Sequence, residues 1–218
     1  MLLYGLVAIV AFVIMFVIVN YKLIYGYDVS LFRMINSTLN VPSLNGFFID
    51  LSLYGRVDFW VPIVALMWIF GKTKEKKAAL ILVVVFLIII AVGLTFKGVY
   101  YRPRPFLTLS GVTTFLPLPT DSSFPSGHAL IVFGGAAIAL LFLKKRYSIP
   151  LLIEALLVCY SRIYIGFHYP TDVFSGALLG SGIALLTAYS LVDSKVFEKI
   201  FSAFNRVYNS ILHTLRIA

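Results

Sequence analysis

The sequence predicts an all-α fold: an integral-membrane bundle of six transmembrane helices, with short interfacial helices between the first two spans. Three observations predict it. Hydrophobic residues make up 61% of the 218 and charged residues only 12%, against about 45–50% and about 25% in soluble domains. Six apolar runs, near 2–20, 56–71, 78–98, 127–143, 149–166 and 171–192, approach the roughly 20 helical residues that cross a bilayer core of about 30 Å. The basic residues cluster between those runs.

Each element has its own reason. The run 2–20 has no basic leader and no small-residue cleavage site, so it reads as a retained helix. In 21–55, Leu31, Ile35 and Leu39 recur at helical spacing, as do Leu44, Phe47, Phe48 and Leu51. Asn40-Val41-Pro42 and Asn45-Gly46 supply turns between them, which predicts two short helices lying at the interface. The second run opens on Arg56 and Asp58 and carries Pro62, yet Phe59 to Phe70 is unbroken apolar sequence and a basic cluster follows. Residues 99–124, with four prolines and Asp121, predict a long surface loop suited to a lid or entrance. In the tail, Val196, Ile200, Phe204, Tyr208, Ile211 and Leu215 fall near one helical face with Lys and Arg between them. That pattern predicts an amphipathic cytoplasmic helix over 193–218.

By length the chain is a single domain, 1–218. A net charge of +9 would suit nucleic acid, but the basic residues form no continuous stripe, so no nucleic-acid partner is expected. They set orientation instead. Eleven Lys and Arg fall after the second, fourth and sixth runs, including Lys72, Lys76, Lys77, Lys144, Lys145, Arg146, Lys195 and Arg216. Seven fall on the other side, Lys22, Arg33, Arg56, Lys97, Arg102, Arg104 and Arg162. Both termini are therefore expected in the cytoplasm of a cell (plasma) membrane protein. Glu154, inside the fifth run, is expected to pair with Lys144, Lys145 or Arg146. Cys159, the single cysteine, reads as a packing residue.

The chemistry-bearing residues all fall on the outer side, in three segments: Lys97-x6-Arg104-Pro105, Pro125-Ser126-Gly127-His128, and Ser161-Arg162-x5-His168-x3-Asp172. Ser126 suits the N-cap of the fourth span, where unpaired backbone N–H groups beside Gly127 form an anion site. Capping alone would explain Ser126 and Gly127, but His128 adds a titratable group beside that site. Pro170 suits the first turn of the sixth span, which places Asp172 in that turn. Asp172 could simply complement the helix dipole. It also lies four residues after His168, close enough to accept a hydrogen bond from one ring nitrogen and leave the other nucleophilic. Lys97, Arg104 and Arg162 form an anion clamp. Snorkelling is the plain alternative for Lys97, whereas Arg162 lies inside an apolar run, where charges default to function.

In this order and on one face, the three segments resemble those of the type 2 phosphatidic acid phosphatase superfamily, integral-membrane lipid phosphate phosphatases. The likeness runs from about Lys97 to Gly180 without a substitution in the motifs. The resemblance implies that His168 is a nucleophile forming a phosphohistidine, oriented by Asp172. It implies that His128 protonates the leaving group and then activates water. Lys97, Arg104, Ser126, Gly127 and Arg162 would hold the phosphoryl group, with no metal and no cofactor. The expected partners are membrane lipids and a lipid phosphate or diphosphate substrate. An outward-facing site suits a polyprenyl (undecaprenyl or dolichyl) diphosphate, with Arg102 the candidate contact for the second phosphate. Glycerolipid phosphates such as phosphatidate and phosphatidylglycerophosphate are the alternative. A transporter or non-catalytic binder is more remote, since transporters carry midplane charges in repeated halves.

Overall fold

The computed structural model describes residues 1–55 and 57–214. Arg56 at the start of the second run, and Leu215 and Arg216 in the tail, lie outside the described residues. Among the described residues the elements are helical: α1 (Leu2–Asn20), α2 (Tyr25–Arg33) running into a π-helical turn (Met34–Thr38), and α3 (Asn45–Tyr54). There follow α4 (Val57–Phe70), α5 (Thr73–Val99), the single turn α6 (Pro105–Thr108), α7 (Gly127–Phe142), α8 (Lys145–Tyr164), α9 (Pro170–Val192) and α10 (Lys195–Thr214).

Helices α1, α5, α8 and α9 are long and apolar enough to cross a membrane. The other two expected spans differ from the expectation. Helix α4 has 14 residues, about 21 Å at 1.5 Å per residue. It makes a candidate span only together with Pro42–Tyr54, across a bend of 66°. The second predicted interfacial helix is therefore one arm of a broken pair. The break falls at Gly55, where a Cβ would lie 2.5 Å from a Val158 methyl on α8. Helix α7 has 16 residues, and its first turn, with His128 and Ala129 buried, sits inside the protein.

Helix α7 is the centre of the packing. A Cβ on Gly180 of α9 would lie 2.2 Å from the Leu130 carbonyl oxygen of α7, and one on Gly176 would lie 2.5 Å from that of Ser126. Small residues four apart let the two backbones touch, the usual route to tight helix association in a membrane. That contact sets the start of α7 against the start of α9, where the backbone N–H of Ser126 donates to the Asp172 carbonyl at 3.0 Å. One apolar cluster joins α7 to α1, α4, α5 and α9. A second joins it to α2, α3, α8 and the 165–169 turn. The outward faces stay apolar, with Leu87 and Leu94 on α5 64% and 68% exposed.

At the far end of α5, Lys77 pairs with Glu198 at 2.5 Å and Lys76 donates to Asn205 at 3.1 Å. The predicted amphipathic tail is thus α10, docked by Phe197 and Phe201 with Val196, Ile200, Phe204, Val207 and Ile211 exposed. Glu154 does not pair with Lys144, Lys145 or Arg146. Its carboxylate oxygens are buried without a hydrogen-bond partner, because nine residues of helix, about 13 Å of rise, separate it from Lys145.

Candidate active site

His168 lies in the turn between α8 and α9, made possible by Gly166 at φ +82. Its backbone N–H and that of Phe167 both donate to the Arg162 carbonyl at 3.2 Å. The imidazole is 1% exposed. Burial, then the positive charges of Arg104, Arg162 and Lys97, hold it well below the usual histidine range, so the ring is neutral near pH 7. Nε2 faces Arg104 Nη1 at 3.3 Å. Nδ1 is 3.6 Å from Asp172 Oδ2, longer than the hydrogen bond expected from the spacing. The reason is competition. Asp172 Oδ2 already accepts from the hydroxyl of Ser123 and from the N–H of Tyr169 at 2.9 Å. Asp172 therefore caps α9 and faces His168 at the same time, and contacts of this length in empty sites often shorten when substrate binds.

The clamp forms around one carboxylate. Lys97, in the last turn of α5, donates to Asp121 Oδ2 at 2.6 Å and to the Ser122 carbonyl at 2.9 Å. Arg104 Nη2 donates to Asp121 Oδ1 at 2.6 Å and Nε to the Asp121 carbonyl at 3.1 Å. Arg104 Nη1 is fixed by the Phe167 carbonyl at 2.8 Å, beside His168. Burial alone would raise Asp121, but the hydrogen bonds and charges of Lys97 and Arg104 hold it at about 2. The Asp121 side chain is 51% exposed. It occupies the two clamp cations as a phosphate oxygen would.

The third cation comes from the other side. Arg162 Nη1 donates to the hydroxyl and, at 3.2 Å, to the carbonyl of Ser52 on α3. His128 Nε2–H donates to the same carbonyl at 3.1 Å. One serine thus registers His128 against Arg162. The first intrahelical bond of α7 is Leu130 N to Ser126 O at 3.1 Å, so the N–H groups of Gly127, His128 and Ala129 have no helical acceptor. Ser126 occupies the N-cap position but makes no capping bond, and its hydroxyl is buried without a partner. A buried unsatisfied hydroxyl is costly, and one at a helix N-terminus, where the first N–H groups find no acceptor within the helix, marks a place for an anion.

Lys97, Arg104, Gly127, His128, Arg162 and His168 line one cavity of about 230 Å³. Its other wall is apolar, built by Ile89, Ile90, Gly93 and Leu94 of α5 and by Leu130 and Ile131 of α7. Ser126 and Asp172 stand behind the polar wall. Arg102 is not part of it. Its guanidinium points the other way, to Asp28 Oδ2 at 2.7 Å, to Asp172 Oδ1 and to the Thr171 hydroxyl at 2.8 Å. The guanidinium expected to contact a second phosphate is thus held by two buried carboxylates, outside the cavity lining. Asp28, Ser52 and Ser123 went unnoticed in the sequence, as did the bridging role of Asp121. Only Asp121 and Ser123 carried a signal, as polar residues directly before the Pro125 motif. Among the described residues no cluster of three or more His, Cys, Asp or Glu could hold a metal ion. A neutral imidazole facing three cations, a helix N-terminus and a second histidine can together attack and transfer a phosphoryl group.

Comparison with known proteins agrees with this chemistry. The model of the PAP2 superfamily matches residues 78–195, a stretch that contains all three motifs. An undecaprenyl-diphosphatase of Sulfolobus acidocaldarius is 45% identical over 162 residues, covering 74% of this chain and 77% of that protein. The undecaprenyl-diphosphatase BcrC of Bacillus subtilis is 30% identical over 173 residues, 79% of this chain and 86% of that protein. The crystal structure of a transmembrane PAP2-type phosphatidylglycerolphosphate phosphatase from Bacillus subtilis superposes with a TM-score of 0.71 at 22% identity. It covers 88% of this chain and 98% of that one, a likeness of fold.

Proposed function

The chain belongs to the PAP2 superfamily and is a multi-pass membrane hydrolase of lipid phosphates, and we propose that it cleaves a polyprenyl diphosphate of the undecaprenyl or dolichyl type. The products are the polyprenyl monophosphate and inorganic phosphate. The observation that carries the reading is the two-walled cavity. Its polar wall suits a phosphoryl group and its apolar wall, between α5 and α7, suits a hydrocarbon chain. The relatives' diphosphate substrate supports the choice of headgroup.

In this reading His168 Nε2 attacks the terminal phosphorus and the bond to the bridging oxygen breaks. His128 gives that oxygen its proton. Water, deprotonated by His128, then attacks the phosphohistidine, releasing phosphate and restoring His168. Asp172 orients the imidazole. Lys97, Arg104, Arg162 and the N–H groups near Ser126 and Gly127 stabilise the charge on the transferring group. These groups take the role a metal would fill, so the reaction needs none.

The whole chain, 1–218, acts as one domain with six membrane passages, the broken α3–α4 pair and the short α7 being two of them. Both termini are cytoplasmic and the site faces outward across the plasma membrane. Support comes from α5, whose Lys76 joins the basic tail end and whose Lys97 joins the site, about 30 Å apart by helical rise. In intact cells a cysteine at Thr113 should react with an impermeant thiol reagent and one at Thr73 should not. The reverse pattern would invert the topology.

Phosphate release by detergent-purified protein tests the function. Polyprenyl diphosphate should be cleaved faster than phosphatidate or phosphatidylglycerophosphate, and activity should survive EDTA and be inhibited by vanadate. Faster turnover of a glycerolipid phosphate would sink the substrate assignment. Labelled phosphate should be trapped on His168 in a His128→Ala background.

A further inference from the structure

Asp28 belongs to none of the motifs and comes from α2, a helix expected merely to lie at the interface. It is 4% exposed. Its Oδ2 accepts from Arg102 Nη2 at 2.7 Å and from the Thr171 hydroxyl at 2.6 Å, and its Oδ1 accepts from the Thr171 backbone N–H at 3.0 Å. Thr171 is the second residue of α9 and the neighbour of Asp172. The other amino group of Arg102 donates to Asp172 Oδ1, and the guanidinium stacks on the Tyr169 ring, 4.2 Å from its centroid. Asp28, Arg102 and Asp172 thus form a buried carboxylate–guanidinium–carboxylate chain. One end of it grips the first turn of α9 and the other faces the reactive histidine.

The charge of this chain matters as much as its geometry. Arg102 alone would neutralise Asp172. With Asp28 present the trio carries one net negative charge, and the side of it turned to the histidine is Asp172 Oδ2, 3.6 Å from His168 Nδ1. Lys97 from α5, Arg104 from the loop after it and Arg162 from α8 all act against a proton on His168. Asp121 offsets Lys97 and Arg104 on the solvent side of the cavity, and Asp172 is the buried carboxylate that faces the ring itself.

We propose that Asp28 is a positioning residue of the phosphatase, which through Arg102 and Thr171 fixes the Asp172 carboxylate and offsets the Arg102 charge, so that Asp172 acts on His168 as a full carboxylate. This rests on the reading of His168 as the nucleophile. It also ties α2 to the reaction rate.

The test is a charge cycle on the full-length protein. Asp28→Asn makes the trio neutral, so His168 binds a proton less readily. The acid limb of kcat/KM should move to lower pH and kcat should fall about tenfold or more, with KM little changed. Asp28→Asn combined with Arg102→Met restores one net negative charge, and the limb should return towards its original pH. Asp28→Glu keeps the charge but displaces the carboxylate, so kcat should fall while the limb stays in place. It is also the variant to read if Asp28→Asn does not fold. A limb that stays fixed in Asp28→Asn, or wild-type kcat in Asp28→Glu, would reduce Asp28 to a packing partner and overturn the proposal. Phosphate trapping on His168, measured in parallel with Asp28 intact, separates the two readings. Failure to trap there removes the nucleophile assignment itself, whereas trapping with an inert Asp28 removes this inference alone.

Discussion

Arg102 and Arg104 stand two residues apart, each precedes a proline, and each ends on an aspartate, yet they reach opposite environments. Arg102 runs into the interior, where Asp28 and Asp172 are 4% and 0% exposed. Arg104 runs into the cavity, where its partner Asp121 has a half-exposed side chain. The divergence has a local cause. Proline fixes its own φ and pushes the preceding residue to extended backbone, and Arg104 has φ −76 and ψ 157. Such a polyproline-like path turns about 120° per residue, so side chains two apart diverge where those of a β-strand would align. A cation can serve a ligand when its carboxylate partner can leave. Asp121 can swing into solvent; Asp28 and Asp172 cannot.

Arg104 faces His168 directly and Arg102 reaches it only through Asp172, so removing His168 tests the site as a whole and should have the largest effect. His168→Ala should fold in membranes and lose nearly all turnover; retention of more than a few per cent would sink the nucleophile assignment. Next, Arg104→Ala should lower kcat/KM on diphosphate and monophosphate lipids alike by about tenfold to a hundredfold, the worth of one or two charge-assisted hydrogen bonds of about 1.5–3 kcal/mol. Arg102→Ala should also show no preference between the two lipids, because its guanidinium is held by Asp28 and Asp172 outside the cavity lining. A selective loss on the diphosphate would return Arg102 to the substrate site and break the comparison.

Asp121→Asn should sharpen it. Freed of the carboxylate, Lys97 and Arg104 are open to an incoming anion, so the inhibition constants of vanadate and inorganic phosphate should fall about threefold to tenfold, a gain held down by the exposure of the pair. Weaker inhibition would mean that Asp121 shapes the clamp instead of filling it. The smallest effect expected is on pH. The folded pKa of Asp121 is depressed to about 2, so its bridges are fully present above the unfolded carboxylate value near 3.9 and are lost only as pH falls through about 2. Between pH 4 and 8 the thermal stability lost in Asp121→Asn should therefore be constant, and a loss that shrinks as pH falls through that range would mean that Asp121 titrates there.

Short-range chemistry determined much of this protein. Apolar runs of about membrane length predicted α1, with bounds that match the structure, and the cores of α5, α8 and α9. Spacing placed Pro170 and Asp172 in the first turn of α9 and put the basic cluster and the clamp at opposite ends of α5. Six motif residues, Lys97, Arg104, Gly127, His128, Arg162 and His168, line one cavity, and each was legible in the sequence as a helix end, a glycine or a charge.

Tertiary structure decided the rest. At the α3–α4 break Gly55 lies so close to Val158, a hundred residues later in the chain, that a Cβ would not fit. Ser52 reaches Arg162 and His128, 110 and 76 residues away in the chain, and Asp28 reaches Thr171 and Arg102. Nothing near Asp28 in sequence distinguishes it from a surface carboxylate on an amphipathic turn. Its meaning comes from burial, where a charge must find a partner, and the identity of that partner follows from how α2 packs against the first turn of α9.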